Sequence, residues 1–302
     1  MARPEAVVQE FTTAGPQRDW SRAQRAAGKR IGFVPTMGAL HEGHMSLVDM
    51  AKANSDVVVV SIFLNPTQFD DAGDLESYPS SLEDDLALCR SRGVDAVFIP
   101  DRDAMYRQGH ATFVDVIGPL SDKLCAMARP GHFRGVTTVV TKLFNCVDPD
   151  VAVFGQKDFQ QALIISRMTA DLDFPVEILL APTVREADGL AMSSRNRRLS
   201  PEAREIALAL PRGLAIADLA FRAGETDSMS LVELLATELL VHPDVDLDYA
   251  HVIKLDGFVE TDEAGPGCVL AAAVFVHGVR LIDHVHLGGE RLPIDFDAEV
   301  DR

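Results

Sequence analysis

The chain's 302 residues exceed the usual length of one domain, so two domains with ample core volume are expected. Acids outnumber bases 46 to 28, for a net charge of −18, and such a surface repels nucleic acid and anionic membranes at long range. No apolar run approaches the roughly 20 residues that span a bilayer, and residues 1–14 carry acids where a secretory signal has its hydrophobic stretch, so a cytoplasmic globular protein is expected. Cys89, Cys125, Cys146 and Cys268 lie far apart with no C-x-x-C pair, which argues for buried free thiols over zinc or disulfides.

The elements alternate through the first 185 residues. An apolar run at 31–34 predicts a strand, and 43–53 the helix after it. Residues 57–63 form a continuous β-branched run, the pattern of a strand buried on both faces of a parallel sheet. Helix is predicted at 82–92, strand at 96–99, and a long helix from Val136, whose apolar positions repeat through Val139, Val140, Leu143, Phe144 and Val147. A strand at 151–154, a helix at 158–171 and a strand near 176–180 follow. This βα alternation predicts an α/β fold with a doubly wound, Rossmann-like parallel sheet and ligands beyond the carboxyl ends of its strands.

From about residue 190 the pattern changes. Helices are predicted at 201–223, where Ser200-Pro201-Glu202 makes a good start, and at 228–240, then strands at 249–254, 269–276 and 279–282. The expected division is therefore 1–188, a Rossmann-like α/β domain, and 189–302, a smaller α+β domain with a loose tail at 293–302.

The most informative segment is Pro35-Thr36-Met37-Gly38-Ala39-Leu40-His41-Glu42-Gly43-His44, between the first predicted strand and its helix. If the helix opens near His41, the i, i+3 spacing places both imidazoles on one face. There they join exposed N–H groups that favour an anion, and two neutral donors suit a phosphate whose charge grows during transfer. A glycine turn with two incidental histidines is the alternative.

Phe154-Gly155-Gln156-Lys157-Asp158-Phe159-Gln160-Gln161 also joins a strand to a helix, with Lys157 and Gln161 spaced to share a face. Met192-Ser193-Ser194-Arg195 lies between the predicted domains and suits a mobile clamp on a triphosphate, with Arg185, Arg197 and Arg198 nearby; helix capping by either serine is the alternative. Asn65 and Gln68, in Asn-Pro-Thr-Gln-Phe, lie at a strand end and offer neutral amides to hydroxyl and carboxylate groups. Arg129-Pro130-Gly131-His132-Phe133-Arg134 offers bases for a carboxylate.

Together, P-T-M-G-A-L-H-E-G-H, N-P-T-Q-F, R-P-G-H-F-R-G-V, F-G-Q-K-D-F-Q-Q and D-G-L-A-M-S-S-R-N, in this order, closely resemble the pantoate–β-alanine ligases of the nucleotidyltransferase superfamily. The resemblance implies that D-pantoate attacks the α-phosphate of Mg-ATP to give a pantoyl adenylate and pyrophosphate, and that β-alanine then releases pantothenate and AMP. It implies catalytic roles for His44, His41, Lys157 and Arg195. It implies a nucleotide site formed by Met37, Gly38, Ala39, Leu40, His41, Glu42, Gly43 and His44, by Gly155, Gln156, Lys157 and Asp158, and by Val184, Met192, Ser193, Ser194 and Arg195. Gln68, Gln161 and Asn65 are implied for pantoate and β-alanine, Asp84 and Asp85 as candidate magnesium contacts, and a homodimer as the assembly. Gln156, Ser80 and His284 depart from the family pattern, which bears on affinity more than on reaction type. Another adenylate-forming enzyme of this fold and a non-catalytic nucleotide-binding regulator are the rival readings.

Overall fold

The computed structural model describes residues 8–70 and 72–289, so the tail at 293–302 lies outside the described residues. The chain divides into two compact units, Met1–Thr183 and Val184–Arg302. Relative to the boundary expected at 188/189, residues 184–188 belong with the second unit. The reason is local: Arg185 is bonded to Asp283 of that unit.

In the first unit, strands β1 (Gln9–Phe11), β2 (Ile31–Thr36), β3 (Val57–Ile62), β4 (Ala96–Phe98), β5 (Val151–Gly155) and β6 (Glu177–Ala181) form one parallel sheet in the order β1-β4-β3-β2-β5-β6. Strand alternation builds a core on each face. Ile31, Phe33, Val57 and Val59 enter one cluster with Val136, Val140, Phe144 and Ile165 from the flanking helices. Val34, Val58, Val60 and Val153 point the other way and meet Leu40, Met45, Val48 and Leu86. Every residue of β3 is buried, as its unbroken β-branched pattern requires. The strand order reverses between β2 and β5, where their loops diverge and a ligand crevice forms in open α/β sheets.

Sequence patterning gave no sign of β1 or of the helix Ala14–Ala26. The buried residues of that helix are Gln17 and Ser21, joined Nε2 to Oγ at 3.2 Å, so the apolar stripe that marks a core-facing helix is missing.

In the second unit, β7 (Val245–Lys254), β8 (Val259–Glu260), β9 (Cys268–Val276) and β10 (Val279–His286) form an antiparallel sheet, β10-β9-β7-β8, that packs on helices Ala209–Arg222 and Ser228–Leu240. The helix expected at 201–223 is interrupted at Leu208, giving Pro201–Ala207 and Ala209–Arg222. Pro211 supplies the cause, since it has no N–H to donate to the carbonyl of Ala207 one turn earlier. β7 begins earlier than expected because a bulge between Leu247 and Tyr249 shifts its alternation. All four cysteines are free and buried, and burial pushes the Cys89 thiol up to about 12. No helix among the described residues is long and apolar enough to cross a membrane.

Candidate active site

The turn after β2 is fastened from both sides. The Thr36 hydroxyl donates to the Ser61 carbonyl on β3 at 2.7 Å and accepts from the Gly38 N–H at 3.2 Å. The backbone then reverses through left-handed Gly38 (φ 87°) and Ala39 (φ 51°), the second an unusual conformation for a residue with a Cβ. Asp85, buried on the helix Leu82–Ser91, accepts from the Ala39 N–H at 2.9 Å and the Leu40 N–H at 2.7 Å, one to each carboxylate oxygen.

The turn delivers His41 as the extended N-cap of the helix Glu42–Asn54. The His41 N–H donates to Nδ1 of His44 at 3.3 Å, and the two ring centroids are 4.1 Å apart. With Nδ1 accepting, a neutral His44 carries its proton on Nε2, which makes that atom a donor. Both imidazoles thus sit together at the start of a helix, as the i, i+3 spacing predicts.

On the neighbouring strand, Gly155 ends β5, and a Cβ built there would meet Leu47 of the histidine-bearing helix at 3.9 Å. Lys157 follows in the single 3-10 turn Gln156–Asp158, with Nζ 3.9 Å from Oδ2 of Asp158. Half-buried Gln161 lies in the helix Phe159–Asp171, and its side chain has no hydrogen-bond partner among the described residues. Lys157 and Gln161 therefore share the β2/β5 reversal with the histidines. The adjacent Gln160 faces inward, accepting from the Cys125 N–H and donating to the carbonyls of Leu120 and Lys123.

The loop after β3 brings Gln68 to the same turn, where its Nε2 lies 3.0 Å from Sδ of Met37. Asn65, 1% exposed, is occupied within the protein. It donates to Oε1 of Gln68 and to the Gly135 carbonyl, and its own oxygen accepts from the Thr67 and Tyr106 hydroxyls. Asn65 thus orients Gln68.

Within 129–134, Arg129 and His132 are engaged within the protein, while Arg134 is exposed. Arg129 pairs with Asp70 at 2.9 Å and donates to the Gln68 carbonyl at 3.0 Å, while Arg134 lies over the Phe113 ring at 4.3 Å. His132 shares that carbonyl through Nδ1 at 2.7 Å; burial first, then the Arg129 charge, lowers its pKa to about 4, so it is a neutral donor there. Sequence reading did not single out Gly135 or Tyr106. Gly135 lies so close to the loop that a Cβ would meet the Thr67 carbonyl oxygen at 2.3 Å; a glycine inside an apolar helical pattern was the available signal.

In the second unit, Val184 accepts from the Met192 N–H at 2.9 Å across a hairpin closed at Gly189. Arg185 forms a buried two-pronged pair with Asp283, at 2.6 and 3.0 Å, so it is unavailable to a phosphate. Ser193 caps the 3-10 helix Ser194–Arg198 by accepting from the Arg195 N–H at 3.2 Å. Asn196 donates to Glu186 and to the Ala191 carbonyl, and Arg204 pairs with Glu186 and Asp188. Of the departures from the family pattern, Ser80 is exposed, Gln156 is half-buried, and buried His284 donates its N–H to Asp283 at 2.8 Å.

The two carboxylates expected at magnesium have different work. Asp84 accepts from the Ser81 hydroxyl at 2.7 Å in an exposed position, while both oxygens of Asp85 serve the turn. No group of three or more His, Cys, Asp or Glu residues suited to a metal occurs among the described residues. This donor set does not form a protein-held magnesium site.

The sequence profile of the family described as Pantoate-beta-alanine ligase matches residues 9–286. The chain belongs to the pantoate–β-alanine ligase family. Among its relatives, the pantothenate synthetase of Pelotomaculum thermopropionicum is 51% identical over 271 residues, covering 90% of this chain and 96% of the relative. That of Moorella thermoacetica is 50% identical over 275 residues, covering 91% and 97%. The crystal structure of pantothenate synthetase from Thermus thermophilus superposes with a TM-score of 0.87 at 40% identity, covering 93% of this chain and 99% of that one. The Francisella tularensis pantoate–β-alanine ligase, solved with β,γ-ATP and β-alanine, superposes with a TM-score of 0.80 at 30% identity, covering 94% and 99%.

Proposed function

We propose that this chain uses ATP to condense D-pantoate with β-alanine through a pantoyl adenylate, with His41, His44 and Lys157 at the reacting phosphate. The observation that carries the reading is the imidazole pair, 4.1 Å between centroids, at a helix N-terminus where the strand order reverses. The pantoate carboxylate attacks the α-phosphorus of ATP, and the bond to the bridging oxygen breaks as pyrophosphate leaves. Nε2–H of His44 is the donor for the charge that builds on the phosphoryl oxygens, with His41 beside it. Lys157 supplies positive charge from the adjacent strand end, and the turn at 37–44 with Gly155, Gln156 and Asp158 cradles the nucleotide.

In the second step the amine of β-alanine attacks the acyl carbon, the acyl–phosphate C–O bond breaks, and AMP leaves with that oxygen. No covalent enzyme intermediate is required, so positioning and charge stabilisation carry the catalysis. Gln68 and Gln161 hydrogen-bond pantoate's hydroxyl and carboxylate groups, and Asn65 sets the direction of Gln68. Ser193, Ser194 and Arg195, with the backbone at Val184 and Met192, serve the ATP phosphates. Magnesium arrives as part of the Mg-ATP substrate, its ligands the phosphates and water. In this reading the chain works as a cytoplasmic homodimer, which sedimentation equilibrium checks.

AMP formation from Mg-ATP, with D-pantoate and β-alanine each supplied or omitted, tests the reading. AMP and pantothenate together, only when both substrates are present, are the expected result. Pyrophosphate release with other small acids and not with pantoate overturns the substrate, and ATP binding without turnover overturns the enzyme.

A further inference from the structure

We propose that Asp85 is a positioning residue for adenylate formation, acting through the backbone amides of Ala39 and Leu40 on the two histidines. The inference rests on the reading above and assigns Asp85 a role in its first step. Three features of the turn carry it. First, consecutive amides aim at the two oxygens of one carboxylate, at 2.9 and 2.7 Å, which fixes the turn in orientation as well as position. Second, the clamped residues immediately precede His41, and one of them, Ala39, holds a left-handed conformation at φ 51° that unaided sterics disfavour. Third, the clamp has a rigid backing: Asp85 is 3% exposed, and Leu86 of its helix enters the same core cluster as Leu40 and Met45.

Gly38 completes the fit. A Cβ there would stand 3.0 Å from Oδ2 of Asp85 and 3.1 Å from Ile62, so a glycine lets the carboxylate reach the next amide. A displacement of the turn passes straight into the N-cap, since His41 and His44 are tied to one another. The residue type follows from the two amides. An asparagine offers one acceptor oxygen, and its NH2 would face a backbone N–H.

The decisive experiment is a double-mutant cycle on single-turnover, pantoate-dependent pyrophosphate release. Asp85→Asn should slow adenylate formation by about 10- to 100-fold, the scale of an ångström-sized misplacement. KM for ATP should rise by less than the rate falls, because the turn at 37–44 also cradles the nucleotide while the histidines it carries act on the transition state. The magnesium concentration for half-activation at fixed ATP should not move. In a His41→Ala/His44→Ala background, Asp85→Asn should cost less than about threefold, because the groups it positions are gone. Gly38→Ala, which drives the clamp apart from the other side, should repeat this pattern, and it replaces Asp85→Asn in the cycle if that variant does not fold.

Full multiplication of the losses, unchanged turnover, or a raised magnesium requirement each overturns the clamp while leaving a working ligase. A wild-type protein that makes no AMP overturns the reading and the clamp together.

Discussion

In the first unit, the turn at 37–40 and the loop at 65–69 are held by side chains that hydrogen-bond backbone. Asp85 takes two amides, Asn65 reaches the Gly135 carbonyl, and a neutral His132 donates to the Gln68 carbonyl. In the second unit, the segment leading to Ser193 and Arg195 is held by ion pairs, Arg185 to Asp283 and Arg204 to Glu186 and Asp188. A backbone-directed clamp fixes a turn within a short distance and requires few long side chains. Arginine pairs instead rely on a long side chain, and the Arg185 pair reaches from the hairpin to β10.

The contrast can be broken at its most buried charge. Arg185 and Asp283 have side chains 6% and 2% exposed, so removing one leaves the other charged and unpaired. Asp283→Asn should destabilise the second unit by about 3–5 kcal/mol, whereas replacing both partners with apolar residues of similar volume should lie near neutral. Urea unfolding followed by a probe in that unit checks both, and a single variant as stable as the double would mean the pair is dispensable.

Chemistry should fail elsewhere. His44→Ala and Lys157→Ala should each lower adenylate formation by about 10²–10³-fold, the effect of one preorganised donor, without the stability loss of Asp283→Asn. Single-turnover pyrophosphate release set beside urea midpoints separates the two effects. Equal losses of stability at His44 and Asp283 would erase the distinction between the units.

Legibility in the sequence followed the same line. The parallel sheet and the histidine turn were readable because a β-branched strand, a glycine turn and an i, i+3 spacing are local patterns. Contacts between distant residues were not. Asp84 and Asp85 stood alike as candidate magnesium contacts by resemblance, because nothing in Glu-Asp-Asp shows which acid turns inward, and burial chose the second. Arg185 stood among the bases near the Ser193-Ser194-Arg195 clamp, yet the partner that neutralises it is 98 residues away. Asn65 and Gln68 looked equivalent; Asn65 has both its donor and its acceptor groups engaged within the protein.

A neutral histidine inside the first unit makes its stability sensitive to acid. His132 titrates at 6.5 when unperturbed and at about 4 in the folded chain, lowered by burial first and by Arg129 second. Below pH 6.5 the unfolded chain therefore gains a proton that the folded chain refuses. The contribution is complete above that pH and declines as pH falls toward 4, at up to roughly 1.4 kcal/mol per pH unit. Urea midpoints between pH 7 and 4.5 should fall for the wild type and flatten for His132→Asn, whose amide can replace the Nδ1 donor without titrating. An unchanged slope would assign the acid sensitivity to other groups.

Two glycines in helices provide a matched pair across the units. A Cβ on Gly135 would lie 2.3 Å from the Thr67 carbonyl oxygen and 2.8 Å from the Gln68 Cα, both backbone. On Gly213 the nearest obstacle, at 2.6 Å, is the end of the Leu235 side chain, which can rotate, with the Leu235 carbonyl farther off at 3.1 Å. Both alanine variants gain the same helix propensity, roughly 0.8–1 kcal/mol, so the difference between them isolates the cost of moving each neighbour. Gly135→Ala should lose about 1–3 kcal/mol net and Gly213→Ala less than that. The activities should separate further: Gly135→Ala pushes back the loop that aims Gln68, raising KM for pantoate more than KM for ATP, while Gly213→Ala changes neither. A Gly135→Ala protein with wild-type KM for pantoate would remove Gln68 from the acid-binding role and leave its loop a purely structural brace.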